Sequence, residues 1–320
     1  MIRLGNSYHK FISHLEEINA AALQQPEQLI RQVERVFRLS LQLITEEIVD
    51  QKPVCRVVML SGPSSSGKTT AAHLLCERLH QHGIGTQVIS LDDFYMGEGR
   101  APLLPDGHHD YEAIEALDIP QLQACLLSLL EHGYCDKPNF DFAGRKPFAH
   151  KTHIQLKENE LAVVEGIHAL NPIITENLPQ TGLLKLYISV KQGIKDEVGE
   201  LLSPKDLRLL RRIVRDYKFR GMDPERTLDM WQRVCRGEDL YIRPFKRTSD
   251  FTINSLHIYE PCVLGQTALP LLDAVSSSSP SYPYIQSLAR ALHRFEPIDP
   301  DLVPEDSLLR EFIGPKSTTV

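Results

Sequence analysis

The sequence predicts an α/β fold in which helices flank a mostly parallel sheet. Short runs rich in valine and leucine, suited to strands buried on both faces, alternate with longer segments whose apolar residues have helical spacing. Strands that alternate with helices imply right-handed β-α-β crossovers, which place successive strands parallel in one sheet. The predicted strands are 54–60, 87–91, 161–164 and 184–190, and the predicted helices are 68–82, 119–131, 204–219 and 223–235.

Three parts of the chain differ in composition. We expect residues 1–50 to form a charged helical arm, residues 51–275 to form the α/β core, and residues 276–320 to form a linker, a short helix and a tail. Pro53 is expected to end the arm, because proline does not continue a helix. The linker prediction rests on the serines at 276–279 and on the proline that follows them.

Charge and hydropathy exclude several classes of protein. The 35 basic and 42 acidic side chains give a net charge of −7, which disfavours a nucleic-acid binder with a broadly basic surface. No run approaches the roughly 18–20 apolar residues of a membrane helix, and the N-terminus lacks the apolar block of a signal peptide. We therefore expect a cytoplasmic protein without a membrane or nucleic-acid partner, and a homo-oligomer stays open. The six cysteines form no C-x-x-C pair and are expected to be reduced thiols.

A phosphate-binding motif (P-loop) follows the first predicted strand. Residues 62–69, Gly-Pro-Ser-Ser-Ser-Gly-Lys-Thr, match the pattern G-x-x-x-x-G-K-[ST] between a strand and a helix. The glycines let successive backbone N–H groups point inward, and the start of the helix adds a partial positive charge. We expect Lys68 to reach the β- and γ-phosphates of ATP and Thr69 to hold Mg²⁺. The candidate ATP-binding residues are Gly62, Ser64, Ser65, Ser66, Gly67, Lys68, Thr69 and Thr70.

Acidic residues follow two other predicted strands. Asp92 and Asp93 come directly after the strand at 87–91, and Glu165 comes directly after the strand at 161–164. Because the carboxyl ends of parallel strands share one edge of the sheet, we expect these side chains beside the P-loop. One aspartate there would accept the proton of an attacking hydroxyl, and Glu165 would orient Mg²⁺ directly or through water. The residues alone leave the choice between the two aspartates open.

A basic helix is predicted around residue 210. Segment 205–220 carries seven basic and two acidic residues, and the arginines at 208, 211, 212 and 215 follow the helical spacing i, i+3, i+4, i+7. Leu210 and Ile213 belong to a different, apolar face of this helix. Because grouped arginines repel one another, we expect an anionic partner and interpret the helix as an arginine-rich lid over phosphates.

The ordered set of motifs resembles the uridine kinase/phosphoribulokinase family. The set comprises the P-loop, Ser90-Leu91-Asp92-Asp93-Phe94-Tyr95, Val164-Glu165-Gly166-Ile167-His168, the arginine helix, Arg236-Gly237-Glu238 and the tail segment 308–314. The sequence is most similar to bacterial uridine-kinase-like nucleoside kinases, which often carry an upstream threonyl-tRNA-synthetase-like domain. Only about fifty residues precede the first strand, so we expect that domain to be absent. The resemblance implies an ATP-dependent phosphotransferase with an alcohol group of a small molecule as acceptor.

The resemblance also implies roles for individual residues. Asp92, rather than Asp93, matches the general base of uridine kinases, and Asp110 matches the aspartate that holds the ribose hydroxyls. Glu165 matches a residue of the Mg²⁺ shell, and the arginines match lid residues that approach the phosphates or the acceptor. The expected catalytic residues are Asp92, Lys68, Arg212 and Arg215, the expected substrate-binding residues are Asp110, Phe140, Arg145 and Arg208, and the expected metal-binding residues are Thr69, Glu165 and Asp92.

One segment departs from the family pattern. Uridine kinases read the base with a tyrosine and a histidine in a Pro-x-Tyr-Asp-Phe-type segment, whereas residues 138–145 here are Pro-Asn-Phe-Asp-Phe-Ala-Gly-Arg. Phe140 has no hydroxyl and the segment has no histidine, so a hydrogen-bonded base site loses its discriminating groups. Arg145 or backbone groups are the alternative readers of the base, with Phe140 stacking on it. The expected acceptor is a nucleoside, and a nucleotide or a sugar-like alcohol are the alternatives.

Two further functions stay open. A regulatory ATP-binding module would bind the nucleotide without phosphorylating a substrate, but such a module does not require Asp92 together with an arginine helix. A nucleic-acid motor is disfavoured by the acidic charge and by the lack of a second motor-like region.

Overall fold

A five-stranded parallel sheet lies at the centre of the structure, a computed structural model that describes residues 13–51, 55–142 and 144–317. The strands of the described residues are β1 (Val57–Ser61), β2 (Gly85–Ser90), β3 (Tyr134–Lys137), β4 (Phe140–Asp141), β5 (Lys146–Pro147), β6 (Thr152–Gln155), β7 (Glu160–Glu165), β8 (Leu183–Ser189), β9 (Ile194–Lys195), β10 (Glu200–Leu202) and β11 (Phe251–Asn254). The helices are α1 (Leu15–Gln24), α2 (Pro26–Gln51), α3 (Lys68–Gln81), α4 (Ile119–His132), α5 (Pro172–Thr175), α6 (Pro204–Arg220), α7 (Pro224–Tyr241), α8 (Glu260–Asp273), α9 (Tyr282–Leu292) and α10 (Arg310–Ile313).

The order of the central sheet is β11-β8-β1-β7-β2, and every neighbouring pair of strands in it is parallel. The predicted α/β fold with a mostly parallel sheet is therefore confirmed. Strand β1 lies in the middle, and all five of its residues are buried, as expected of a strand covered on both faces. Alternate residues of a strand point to opposite faces, so Val58 and Leu60 join one apolar cluster and Val57 and Met59 join the other.

The N-terminal helices share the first of these two clusters with the sheet. Buried apolar residues of α2, at spacings of three and four, include Ile30, Val33 and Phe37, and they belong to the same cluster as Val58. Residues of α9 and of the C-terminal segment belong to it as well. Helix α2 ends at Gln51, and the predicted stop at Pro53 lies outside the described residues. The division of the chain at residues 50 and 275 stays a prediction.

Local signals explain where the helices begin. The side chain of Asp118 accepts a hydrogen bond from the backbone N–H of Gln121 at 3.0 Å, which caps the start of α4. Helix α6 begins with a capping box, in which Ser203 and Asp206 each satisfy a backbone N–H of the other. Sequence reasoning missed β11, α8 and the three short antiparallel pairs β3/β6, β4/β5 and β9/β10. No helix in the described ranges combines the length and apolarity needed to cross a bilayer.

Two cysteines differ from the prediction. Cys125 of α4 and Cys135 of β3 form a disulfide, with Cα atoms 5.1 Å apart, so the expectation of six reduced thiols is wrong for this pair. Gly133, with a φ of 80°, makes the turn that brings β3 back beside α4. The other four cysteines form no disulfide within the described residues.

Candidate active site

The P-loop joins the end of β1 to the start of α3. Two of its residues have left-handed backbone conformations, Ser65 with φ 58° and Gly67 with φ 85°. Position 62 requires glycine because a Cβ atom there would lie 2.2 Å from the carbonyl oxygen of Ile188. Helix α3 begins at Lys68, so the N–H groups of its first turn have no partners within the helix. The segment thus has the geometry of an anion-binding turn.

Two side chains of the P-loop have no hydrogen-bond partner among the described residues. The hydroxyls of Ser65 and Ser66 are buried and make no hydrogen bond within the described part of the chain. The ammonium of Lys68 donates to the carbonyl oxygen of Pro63 at 3.2 Å rather than to a carboxylate. The side chain of Thr69 is exposed at the start of the helix. Buried hydroxyls beside a lysine that has no ion pair in these residues fit a phosphate ligand.

Strands β2 and β7 bring two carboxylates to the edge of the sheet. Ser90 and Glu165 end these strands in register, and the Ser90 hydroxyl donates to Glu165 at 2.9 Å. The same Oγ accepts the backbone N–H of Asp92 at 3.3 Å, which fixes the short 3₁₀ turn that follows β2. Burial raises the pKa of Asp92 to about 6, with Glu165 adding to the rise and Lys68 opposing it. The carboxylate of Asp92 has no hydrogen-bond partner among the described residues.

Asp93 has a different environment from its neighbour. Its carboxylate pairs with the ammonium of Lys137 and accepts the backbone N–H of Phe140 at 3.4 Å. Lys137 also donates to the carbonyl oxygen of Pro138 and to Asn139, both at 3.2 Å. Asp93 therefore ties the predicted base-binding segment to the end of β2, and its carboxylate is already engaged.

The predicted metal-binding residues form a partial ligand set. Asp92 and Glu165 lie close enough for one carboxylate to raise the pKa of the other, and Thr69 presents an exposed hydroxyl. Within the described ranges, no three histidine, cysteine, aspartate or glutamate side chains form a metal-binding cluster. Mg²⁺ in phosphoryl-transfer sites usually takes one or two carboxylates and completes its shell with water and substrate phosphates. The residues present fit that kind of shell.

Helix α6 lies against the P-loop, and its arginines hold the backbone of that turn. Arg208 donates to the carbonyl oxygen of Ser64 at 2.9 Å and forms a two-point ion pair with Glu238. Arg212 donates to the hydroxyl of the same serine at 2.8 Å. Because Arg208 is buried between a carboxylate and the turn, its contact here supports the P-loop, and its expected contact with the acceptor stays a prediction.

Arg211 is more deeply buried than its neighbours. Its guanidinium donates to Glu260 at 2.6 Å and to the carbonyl oxygen of Ser65 at 3.3 Å, and the side chain has no exposed surface. The arginines of α6 are thus not an exposed set of like charges that requires an anion to relieve their repulsion. Buried carboxylates compensate its charge, which makes the removal of either partner costly.

Asp216 connects the remaining arginines of this helix. Its buried carboxylate lies 3.0 Å from Arg215, 3.3 Å from Arg212 and 3.4 Å from Arg220. Burial lowers the pKa of both Arg212 and Arg220, while Asp216 opposes that shift. Arg215 also lies 3.9 Å from Glu311, so three guanidinium groups face two carboxylates, and the excess positive charge beside the P-loop suits a polyphosphate.

Two adjoining cavities are lined by residues of the connection between β2 and β7 and of helices α6 and α7. The first, of about 440 Å³, is lined by Tyr95, Tyr111, Phe140, Phe142, Arg145 and Arg220, among others. Burial and, to a smaller extent, the charge of Asp92 raise the pKa of Tyr95. This cavity therefore lies near Asp92, the predicted general base. The second cavity, of about 480 Å³, shares Tyr111 and Arg145 with the first and extends to Asp110 and Glu112. Two of the predicted substrate residues, Phe140 and Arg145, therefore line one cavity.

Asp110 lies at the floor of the second cavity and is 6% exposed. Its carboxylate is 3.5 Å from both the guanidinium of Arg236 and the hydroxyl of Tyr241. Two residues further on, burial raises the pKa of Glu112 to about 7, while Arg212 opposes the rise. The second cavity, which Asp110 and Glu112 line, therefore lies within electrostatic reach of Arg212 in the arginine cluster.

Sequence reasoning missed several polar residues of this region. His168 is 1% exposed, and neither ring nitrogen makes a hydrogen bond to a described residue. Burial lowers the pKa of His168 to about 4, so its imidazole is neutral at pH 7. Glu112 and Asp216 were missed as well, although each lies within four residues of a predicted site residue, Asp110 or Arg212. The sequence signal for Glu112 and Asp216 was their closeness in the chain to a predicted site residue. The only signal for His168 was its position three residues after Glu165.

Comparison with known proteins finds a family match for the central part of the chain. The model of the phosphoribulokinase/uridine kinase family matches residues 57–260, which is well over half of the chain. A uridine kinase of Deinococcus deserti is 27% identical over 208 residues, covering 65% of this chain and 91% of that protein. A uridine kinase of Bacillus pumilus is 29% identical over 203 residues, covering 63% of this chain and 86% of that protein.

Among solved structures, a D-glycerate 3-kinase from Cryptococcus neoformans is 18% identical, with a TM-score of 0.43 over 63% of this chain and 88% of that one. The family match extends from the P-loop strand through the carboxylates of β2 and β7 to the arginine helix. The chain is therefore a P-loop kinase of the phosphoribulokinase/uridine kinase family.

Proposed function

We propose that the protein transfers the γ-phosphoryl group of ATP to a hydroxyl of a small molecule, with a nucleoside as the leading candidate. One observation carries the proposal: the carboxylate of Asp92 has no hydrogen-bond partner in the described residues and lies within electrostatic reach of the P-loop lysine. A regulatory nucleotide-binding module has no use for such a group. The curated relatives named uridine kinase support a nucleoside as acceptor.

On the donor side, the turn and the arginine helix hold the triphosphate. Backbone N–H groups of the P-loop and the ammonium of Lys68 would bind the β- and γ-phosphates. Arg212 and Arg215, already oriented by Asp216, would stabilise the charge on the oxygens of the transferring group. Thr69, Asp92 and Glu165 would hold the Mg²⁺ that neutralises phosphate charge when it is bound. Catalysis in this arrangement is mainly positioning and charge stabilisation.

On the acceptor side, Asp92 would receive the proton of the attacking hydroxyl. Its pKa of about 6 leaves the carboxylate ionised at pH 7 and more basic than an ordinary aspartate. The acceptor oxygen forms a bond to the γ-phosphorus, the bond from that phosphorus to the bridging oxygen breaks, and ADP leaves. Asp110 and the aromatic walls of the adjoining cavities would position the acceptor for this transfer.

A second candidate acceptor is a sugar or a sugar phosphate. Phe140 offers a ring but no hydroxyl for reading a base, and it packs 6.0 Å from Tyr95 and 5.2 Å from Phe142, measured between ring centroids. Arg145 and Arg220 line the same cavity and would suit an anionic group on the acceptor. The cavity therefore favours a ring-shaped acceptor without specifying a pyrimidine.

The decisive experiment is a phosphorylation screen with ATP and Mg²⁺. We would measure ADP release that depends on uridine, cytidine, adenosine, a nucleoside monophosphate, a free pentose or a pentose phosphate, with Lys68→Ala as the inactive control. The proposal requires at least one acceptor to stimulate ADP release in the wild type and none to do so in the variant. Nucleotide binding without any acceptor-dependent turnover would favour the regulatory module.

Phe140 gives a sharper test of the base. If uridine is a poor acceptor, Phe140→Tyr should improve kcat/KM for uridine by about three- to tenfold, since one neutral hydrogen bond contributes about 0.5–1.5 kcal/mol. Phe142→Tyr in the same segment is the matched control. Strong pyrimidine selectivity in the wild type, together with a larger loss in Phe140→Ala than the gain in Phe140→Tyr, would instead mean that the ring stacks on the base and other groups read it.

A further inference from the structure

The segment 307–314, which we call the C-terminal clamp, contacts the P-loop from outside the family match. That match ends at residue 260, and the chain then passes through α8 and α9 before it returns to the start of α3. Leu308 of the clamp packs on Gly67, where the methyl carbon Cδ1 would lie 2.4 Å from a Cβ atom. Leu308 and Phe312 have no exposed surface. The clamp is therefore packed as core, directly beneath the P-loop glycine.

Polar contacts extend from the clamp to two predicted nucleotide-site residues. The carboxylate of Glu311 accepts a hydrogen bond from the hydroxyl of Thr70 at 2.8 Å, and its other oxygen lies 3.9 Å from the guanidinium of Arg215. Thr70 belongs to the first turn of α3, where backbone N–H groups are free to bind an anion. Arg215 belongs to the arginine cluster on the other side of the turn.

The clamp is itself held at several points. The carbonyl oxygen of Ile313 accepts a hydrogen bond from Lys218 of α6 at 2.9 Å, and the ring of Phe312 lies 5.2 Å below the guanidinium of Arg211. At its other end, Ser307 donates to the buried carboxylate of Glu34 on α2. Glu311 is thus carried on a segment fixed to both α2 and α6, which gives its carboxylate a defined position.

We propose that the C-terminal clamp forms one wall of the nucleotide site and that Glu311 is a positioning residue, which holds the first turn of α3, through the hydroxyl of Thr70, and the guanidinium of Arg215 in place for the triphosphate. A free carboxylate near the phosphates would repel them, but Arg215 compensates the charge of this one, and its hydrogen bond fixes the first turn of α3. The proposal rests on the proposed function through the use of ATP. Its test measures nucleotide binding without an acceptor, so the two can fail separately.

The experiment uses the full chain and titrates ADP and the non-hydrolysable ATP analogue AMP-PNP, each with Mg²⁺, by calorimetry. Glu311→Ala should weaken binding by about three- to tenfold, the range expected for one hydrogen bond. Glu311→Gln retains the accepting oxygen and should stay within about twofold of the wild type. Glu305→Ala, an exposed carboxylate in the same C-terminal region, is the matched control.

A double-mutant cycle separates this role from general support of the fold. Thr70→Val removes the donor, so adding Glu311→Ala to it should weaken binding by no more than about twofold further. Additive losses, a Gln variant as weak as the Ala variant, or unchanged or tighter binding in Glu311→Ala would each overturn the proposal. If Glu311→Ala does not fold, the Gln and Val variants decide it. A wild type that binds nucleotide but phosphorylates no acceptor would overturn the proposed function and leave this test readable.

Discussion

The carboxylate of Glu34 gives the most quantitative prediction of stability. Glu34 lies on α2 with 1% exposure, and it accepts hydrogen bonds from the hydroxyls of Tyr259, at 2.6 Å, and Ser307. A ring nitrogen of His257 lies 3.6 Å away. Burial alone would raise the pKa of Glu34, but His257 and the two hydroxyls outweigh burial and lower the pKa to about 2. This group joins the N-terminal arm, the segment that precedes α8, and the C-terminal clamp.

The effect of Glu34→Gln follows from that pKa. A fall from the ordinary 4.5 to about 2 corresponds to about 3 kcal/mol of folding free energy. Because the folded-state pKa lies below the unfolded one, this stabilisation is fully present above pH 4.5 and is lost as the pH falls towards 2. The variant should therefore be less stable than the wild type by about 3 kcal/mol at pH 7 and by only about 1 kcal/mol at pH 3.

The assay is urea unfolding followed by the fluorescence of Trp231 and by circular dichroism, at pH 7, 5, 4 and 3. Glu46→Gln, an exposed glutamate on the same helix, serves as the control and should change stability by less than about 0.5 kcal/mol. A Glu34→Gln loss below about 1 kcal/mol at pH 7, or a loss that does not shrink with acid, would refute the reasoning.

Three further predictions concern the site. Asp92→Asn should lower kcat by about 10²–10⁴ with little change in nucleotide affinity. Asp93→Asn should mainly raise the KM of the acceptor, because it releases Lys137. Steady-state kinetics would test both variants, and a larger loss of kcat in Asp93→Asn than in Asp92→Asn would contradict Asp92 as the base. Activity should decline as the pH falls through about 6, where Asp92 becomes protonated, and a pH–rate profile flat down to pH 5 would contradict Asp92 as the base. Gly67→Ala should lower the free energy of unfolding by about 1–3 kcal/mol, because φ is 85° and Leu308 fills the space, and a denaturation curve unchanged from the wild type would count against this packing.

The elements that position the site could be predicted from periodicity and motif alone. The run at 161–164 is apolar throughout, which is typical of a strand covered on both faces, and β7 occupies residues 160–165. The cap at Asp118 was predictable because its partner lies three residues away in the sequence. The P-loop was predictable for the same reason, since all its groups are contiguous.

What the sequence could not provide was the partner of each polar group. Helical spacing put four arginines on one stripe of α6, but their buried carboxylates lie 30 residues away for Arg208 and 49 for Arg211. Spacing describes a face of a helix and not what covers it, so an exposed lid and a buried ion-pair network give the same pattern. The disulfide of Cys125 was missed for a related reason, because neither cysteine belongs to a recognisable pairing motif.

The strand order has a consequence for how this enzyme can change. Every predicted acceptor-side residue except Arg208 lies in the single connection from β2 to β7, and β2 is an edge strand of the sheet. The groups that would hold ATP come from β1 and α3, from α6 and from the C-terminal clamp, which all lie elsewhere in the chain. Substitutions, insertions and deletions in this connection can therefore change the preferred acceptor without altering the groups that would hold ATP. Proteins with this arrangement can therefore evolve specificity for a different alcohol while their ATP-binding residues stay unchanged.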